Sequence, residues 1–135
     1  MYVLDSCALI AYFRYEDGSL NVADLFEKAM EKKCTIYIHR VSIAEVYYDT
    51  LRTSNKNKAE QMLKDLVLIP ILFLTGIEDN FIKQVGLFKV NHKVSFADCF
   101  VLASAVIKKA TIITSDHHEF GSIEKLGILS FNWIR

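Results

Sequence analysis

MYVLDSCALIAYFR, residues 1–14, is the stretch from which the fold can be read. Met1–Leu4 is a short apolar run ended by Asp5-Ser6, which suits a buried strand. Ala8–Arg14 follows as a short helix, broken by the polar turn Tyr15-Glu16-Asp17-Gly18. Working outward, Val22, Ala23, Phe26, Ala29 and Met30 recur at helical spacing within Ser19–Lys33, with Asp24, Glu27, Lys28, Glu31 and Lys32 opposite. Thr35–Ile38 is β-branched and aromatic, a second strand. Ser42–Leu51 and Lys58–Leu66 read as two further helices. Val67–Leu74 contains Pro70, which cannot donate to a ladder, so it is expected as an edge strand or one broken at its start. Ile77–Phe88 and the almost wholly apolar Phe96–Ala110 are helices. Thr111–Thr114 and Ile128–Phe131 are the last strands, with Asp116–Gly121 between them as a loop or short helical turn.

Strands alternating with helices predict an α/β fold. The expected form is a three-layer α/β/α sandwich around a central, mostly parallel sheet of four to five strands. At 135 residues and 15.5 kDa, residues 1–135 are expected to form one domain. Lys+Arg and Asp+Glu are both 16, so a polycation that coats nucleic acid by charge alone is excluded. Cys7, Cys34 and Cys99 have neither disulfide-framework nor zinc spacing and read as buried free thiols in a reducing compartment. The N-terminus lacks a basic region ahead of its apolar stretch, and Leu66–Leu74 is too short for a bilayer, which needs roughly 20 residues. A cytoplasmic domain with no membrane segment is expected.

Most of the 16 acids lie on polar helix faces, but four do not. Asp5 ends the first strand and Asp116 follows the strand Thr111–Thr114. Glu45 and Asp98 each fall near the start of a helix whose neighbouring residues are apolar. In open α/β sheets, sites lie outside the carboxyl ends of the strands, where these positions converge. Each acid taken alone also fits a helix cap: Ser42-x-x-Glu45 and Ser95-x-x-Asp98 match capping boxes, and Asp5 and Asp116 can cap the turns that follow them. Four carboxylates on one edge repel, however, and a protein tolerates that where a divalent cation neutralises them. Oxygen-only ligands favour Mg²⁺ or Mn²⁺ over zinc.

Asp5-Ser6 after a first strand, Glu45 in a following helix, Ser95-Phe96-Ala97-Asp98 opening an Ala-rich helix, and Thr114-x-Asp116 after a strand together resemble the PIN domain. Their order and spacing look most like the VapC-type toxin ribonucleases of toxin–antitoxin pairs, over essentially the whole chain. The resemblance implies that Asp5, Glu45, Asp98 and Asp116 surround one or two Mg²⁺ or Mn²⁺ ions and cleave RNA, with Ser6 and Thr114 as supporting polar groups. It also implies a cognate antitoxin protein. A non-catalytic PIN-like module that binds RNA or protein is the alternative. A phosphoacceptor receiver domain and a haloacid-dehalogenase-type phosphatase fit poorly, because Asp5 is followed by Ser6-Cys7 and the run Val67–Leu74 ends in Thr75-Gly76.

Other residues carry weaker expectations. His117-His118 reads as an ordinary loop. Arg40, Arg52, Lys56, Lys58 and the segment Lys89–Lys93 around His92 are candidates for a local basic rim toward RNA. The apolar helix Ala8–Phe13, together with Tyr47-Tyr48, predicts a homodimer with a separate groove for an apolar antitoxin segment.

Overall fold

The computed structural model describes residues 1–135. Five strands, β1 (Tyr2–Leu4), β2 (Ile36–His39), β3 (Ile71–Leu74), β4 (Thr111–Thr114) and β5 (Phe131–Trp133), form one sheet in the order β3-β2-β1-β4-β5. Every pairing is parallel. Seven helices connect them: α1 (Ser6–Arg14), α2 (Ser19–Met30), α3 (Arg40–Thr53), α4 (Lys56–Asp65), α5 (Asp79–Asn91), α6 (Phe96–Lys108) and α7 (His117–Glu124). None is long and apolar enough to cross a membrane.

Strand alternation divides the core in two. Leu4, Ile36, Ile38 and Ile113 point to one face, where Leu9, Val22, Phe26, Ile43, Val46 and Met62 of α1–α4 cover them. Val3 and Ile112 point to the other face, under Phe81, Val85, Leu102, Phe120 and Ile123 of α5–α7. The result is the three-layer sandwich expected from the alternation of elements. β3 lies at the sheet edge and starts directly after Pro70, as a residue without an N–H requires.

Three boundaries and the burial of two thiols differ from the expectation. α3 begins at Arg40 instead of Ser42, because the His39 side chain caps it: its Nδ1 accepts the Val41 N–H at 3.1 Å. Glu45 therefore lies in the second turn of α3, and Ser42-x-x-Glu45 is not a capping box. The last strand is Phe131–Trp133, later than the apolar run Ile128–Phe131, since Ile128 and Leu129 follow a turn at Gly127 (φ +66°). Of the two readings for Asp116–Gly121, the helical one holds, and it is longer than a single turn: Asp116 caps α7, which runs to Glu124 and buries Phe120 and Ile123 at helical spacing. Finally, of the three thiols only Cys99 is fully buried; Cys7 and Cys34 are half-buried, and all three are free.

The apolar surface also falls elsewhere than expected. Ala8, Leu9 and Ala11 of α1 are buried, and Ile10, Tyr12 and Phe13 pack partly against the same core. The exposed large apolar residues include Ile77, Ile82 and Phe96 around a cleft between α5 and α6, and Tyr48 on α3.

Candidate active site at the carboxyl edge of the sheet

β1 ends at Leu4 and hands the chain to α1 through Asp5, whose backbone N–H still pairs with the Ile113 carbonyl of β4. Asp5 is the N-cap of α1, and its Oδ1 accepts the Ser6 N–H at 2.7 Å. The capping expectation for Asp5 thus holds. Its second oxygen has a different environment. Oδ2 accepts from the Thr114 hydroxyl and from the Cys7 thiol, each at 2.8 Å, inside a site where Asp5 is only 2% exposed. Burial pushes the Asp5 carboxyl above its ordinary range, with those two hydrogen bonds opposing the rise and the nearby Asp116 adding to it.

Thr114 closes β4 and is fully buried. Its Oγ1 donates to Asp5 and accepts the Asp116 N–H at 3.0 Å, so one hydroxyl ties the first acid to the last. Asp116 caps α7 through its Oδ1, which accepts the Glu119 N–H at 3.0 Å. Cys7, read from the sequence as an ordinary core thiol, belongs to this knot. Besides donating to Asp5, its sulfur lies 3.1 Å from Thr114 Oγ1 and accepts the Ser115 N–H at 3.3 Å. Burial, then the charge of Asp5, push the Cys7 thiol up to about 12, so it stays a neutral donor. Only its position two residues after Asp5 signalled this in the sequence.

Glu45 reaches the same edge from α3. Its Oε2 is buried and has no hydrogen-bond partner, as is the hydroxyl of Ser42 one turn earlier. Burial first, then repulsion from Asp5, raise its carboxyl to about 6, with the Ser6 hydroxyl pulling the other way. Asp98 comes from the first turn of α6 and is 7% exposed. Burial is again the largest cause of a rise to about 7; the Ser95 hydroxyl opposes it, while Asp5, Glu45 and Glu119 add repulsion. Asp5 therefore feels or repels all three other acids. Glu119, a fifth carboxylate at this edge, was not singled out from the sequence as a site residue.

As the side chains are disposed, no three His, Cys, Asp or Glu residues stand close enough together to hold a metal ion. The donor set nevertheless fits a hard divalent cation: it is oxygen-only, its carboxylates repel, and Glu45 presents a buried oxygen with no partner. An unpaired buried carboxylate oxygen is unfavourable unless something fills that role.

Outside the acids, the expected basic rim is thinner than the sequence suggested. Arg52 pairs with Asp49 at 2.9 Å, and the Lys89 ammonium donates to the Val94 carbonyl at 2.6 Å. Arg40, at the start of α3, Lys56 and Lys58 in the first turn of α4, and Lys93, just before α6, are exposed and without an ion pair. His117 is structural: its ring stacks on Trp133, centroids 3.9 Å apart, and its Nε2 lies 3.0 Å from the Arg135 carbonyl. Tyr47 hydrogen-bonds Glu60 at 2.8 Å.

The chain matches the model of the PIN domain over residues 2–126. No curated protein matches it by sequence. Among solved structures it is similar to VapBC2 from Rickettsia felis bound to a promoter DNA fragment, with 19% identity, a TM-score of 0.73 and 97% and 96% of the two chains covered. It is similar to DNA-bound VapBC from Salmonella typhimurium at 11% identity and a TM-score of 0.74, covering 99% and 98%. Mycobacterium tuberculosis VapC20, a toxin that cleaves the sarcin–ricin loop, aligns at 13% identity and a TM-score of 0.70 over 90% and 95%. At these identities the likeness is one of fold.

Proposed function

The chain belongs to the PIN domain family, and from that premise we propose that it is an endoribonuclease dependent on Mg²⁺ or Mn²⁺, the toxin of a type II toxin–antitoxin pair. The observation that carries the reading is the gathering of Asp5, Glu45 and Asp98, largely buried and near enough to feel one another's charge, with Asp116 tied to Asp5 through Thr114 and one buried Glu45 oxygen left without a partner. Helix capping accounts for Asp5 and Asp116 and for part of Asp98, but not for Glu45, which caps nothing and leaves an oxygen unpartnered.

In this reading the four acids hold the cation. When bound, it supplies acidification of water and charge screening at the scissile phosphate. Asp5 is oriented by the Ser6 N–H, the Thr114 hydroxyl and the Cys7 thiol, so its carboxylate enters the site preset. Asp98, raised to about 7 mainly by burial in the ion-free protein, would give up whatever proton it carries on holding an ion. Arg40 and Lys93 offer the free cations nearest the chain positions of Glu45 and Asp98 for backbone phosphates, which position RNA without reading its sequence.

Partners follow from the same reading. Neighbouring folds come from complexes of toxin with antitoxin, and a cavity of about 400 Å³ lies between α1, α3 and α4, with Ile10, Phe13 and Met62 in its lining beside the polar Arg14, Lys58 and Asp65. None of the four acids lines it. An apolar segment of a cognate antitoxin suits that cavity, and the exposed apolar surface at Ile77, Ile82 and Phe96 suits a second copy of the chain.

The test is cleavage of a mixed RNA pool with and without Mg²⁺ or Mn²⁺. Cleavage that EDTA abolishes and either ion restores, leaving 5′-phosphate and 3′-hydroxyl ends, supports the reading. Cleavage in excess chelator, or 2′,3′-cyclic ends, overturns the metal mechanism. Ion binding by calorimetry without any cleavage points to the non-catalytic module. Co-purification with a small protein that suppresses cleavage tests the antitoxin, and sedimentation of a concentration-independent monomer removes the dimer.

A further inference from the structure

The start of α6 departs from an ordinary capping box in one informative respect. In such a box the N-cap hydroxyl accepts the N–H of the residue three places on, and that residue's carboxylate returns to accept the N-cap N–H. The first half is present: Ser95 Oγ accepts the Asp98 N–H at 3.0 Å. The second half is not made by Asp98. The Ser95 N–H is accepted at 2.8 Å by Glu119 Oε2, a carboxylate from α7 and 24 residues away in the chain. Asp98 keeps only the Ser95 hydroxyl, donated to its Oδ2, and its carboxyl is left facing Asp5 and Glu45.

We infer that Glu119 is a positioning residue, which takes over the Ser95 N–H so that the Asp98 carboxylate is available to the acid site. The inference rests on the ribonuclease reading for its consequence, but not for its geometry. Without Glu119 the Ser95 N–H has an unused acceptor three residues away, in Asp98, and the local capping box closes on itself. Asp98 then turns from the site to its own helix end. The same contact joins α7, which Asp116 caps, to α6, so it also ties together the elements that carry the last two acids. A neutral acceptor is enough for this role: the amide oxygen of glutamine accepts an N–H as well, whereas alanine accepts none.

E119A and E119Q therefore separate positioning from charge. In E119A we expect Mn²⁺ affinity, measured by calorimetry, to fall about tenfold, the scale usual for partners that orient metal ligands. RNA cleavage is expected to fall with it, and the far-UV spectrum to remain that of the parent protein. E119Q is expected to recover most of both. A crystal structure of E119A is expected to show Asp98 within hydrogen-bond distance of the Ser95 N–H. Equal losses in E119Q and E119A would overturn the inference, because they would mean that the charge of Glu119 acts at the site directly. So would an E119A structure with Asp98 unmoved. A parent protein that binds no Mn²⁺ and cuts no RNA would sink the ribonuclease reading instead, and the orientation of Asp98 in E119A would still decide this one.

Discussion

The two helices that bring Glu45 and Asp98 to the site begin with the same written pattern, a serine followed three residues later by an acid, and they are built differently. At α6, Ser95 caps and Asp98 lies in the first turn. At α3 the helix has already begun at Arg40 under the His39 cap, so Ser42 is fully buried with an unpartnered hydroxyl and Glu45 sits a turn further along. A local pattern can mark a helix start only if no better cap lies just upstream. His39 is the cap, and its ring is fixed by packing against Phe81 and Phe100, ring centroids 5.2 and 5.0 Å away. The lesson is that the capping account covers part of Asp98 and none of Glu45, while crowding at the sheet edge applies to both.

The largest effect expected from this comparison is on activity. Asp98→Asn keeps an acceptor for the Ser95 hydroxyl but removes the charge. Asp5→Asn also removes the charge, but its amide nitrogen cannot accept as the second oxygen of Asp5 does, so one set of the bonds from Ser6 or from Thr114 and Cys7 is lost. Each is expected to reduce RNA cleavage about 100-fold or more, with the fold intact by circular dichroism, as befits a lost ion ligand. In Asp98→Asn, relief of repulsion should leave the melting temperature of the ion-free protein unchanged or higher. A lower melting temperature with full activity would return Asp98 to the role of a cap.

Next in size is the dependence of stability on pH in the absence of metal. Asp98 is raised from 3.8 to about 7, and Glu45 from 4.5 to about 6. A carboxyl raised in the folded state binds its proton more tightly there than in the unfolded chain. Its contribution is fully present below the unfolded value and is lost as pH rises through the folded one. The melting temperature should therefore fall as pH climbs from about 4 to about 7, and Asp98→Asn should flatten most of that slope. A curve that rises over the same interval would break the account of both carboxyls as raised by burial and by one another's charge.

The caps themselves give smaller effects. His39→Ala removes a cap and a ring packed on two phenylalanines, and is expected to destabilise by about 2 kcal/mol. Ser95→Ala should cost about 1 kcal/mol in urea unfolding. Ser42→Ala, despite the identical spacing, should lie within about 0.5 kcal/mol of the parent or above it, because it removes a buried hydroxyl that has no partner. Equal losses at Ser42 and Ser95 would mean that α3 starts where its sequence pattern says it does.

The sequence by itself determined the alternation of strands and helices, the edge placement of β3 after Pro70, and the identity of the four acids that meet at one edge. These are readable because side-chain periodicity and proline's missing N–H act over a few residues of chain. Only the tertiary structure decided where α3 begins, that Phe131–Trp133 and not Ile128–Phe131 pairs with β4, and that Asp116 opens a helix. It also decided the company of the acids. Cys7 meets Thr114 across 107 residues, Asp5 meets Thr114 across 109, and Glu119 reaches Ser95 across 24. Such bonds are made by elements brought side by side in a parallel sheet, and no spacing along the chain encodes which neighbours the crossovers will produce.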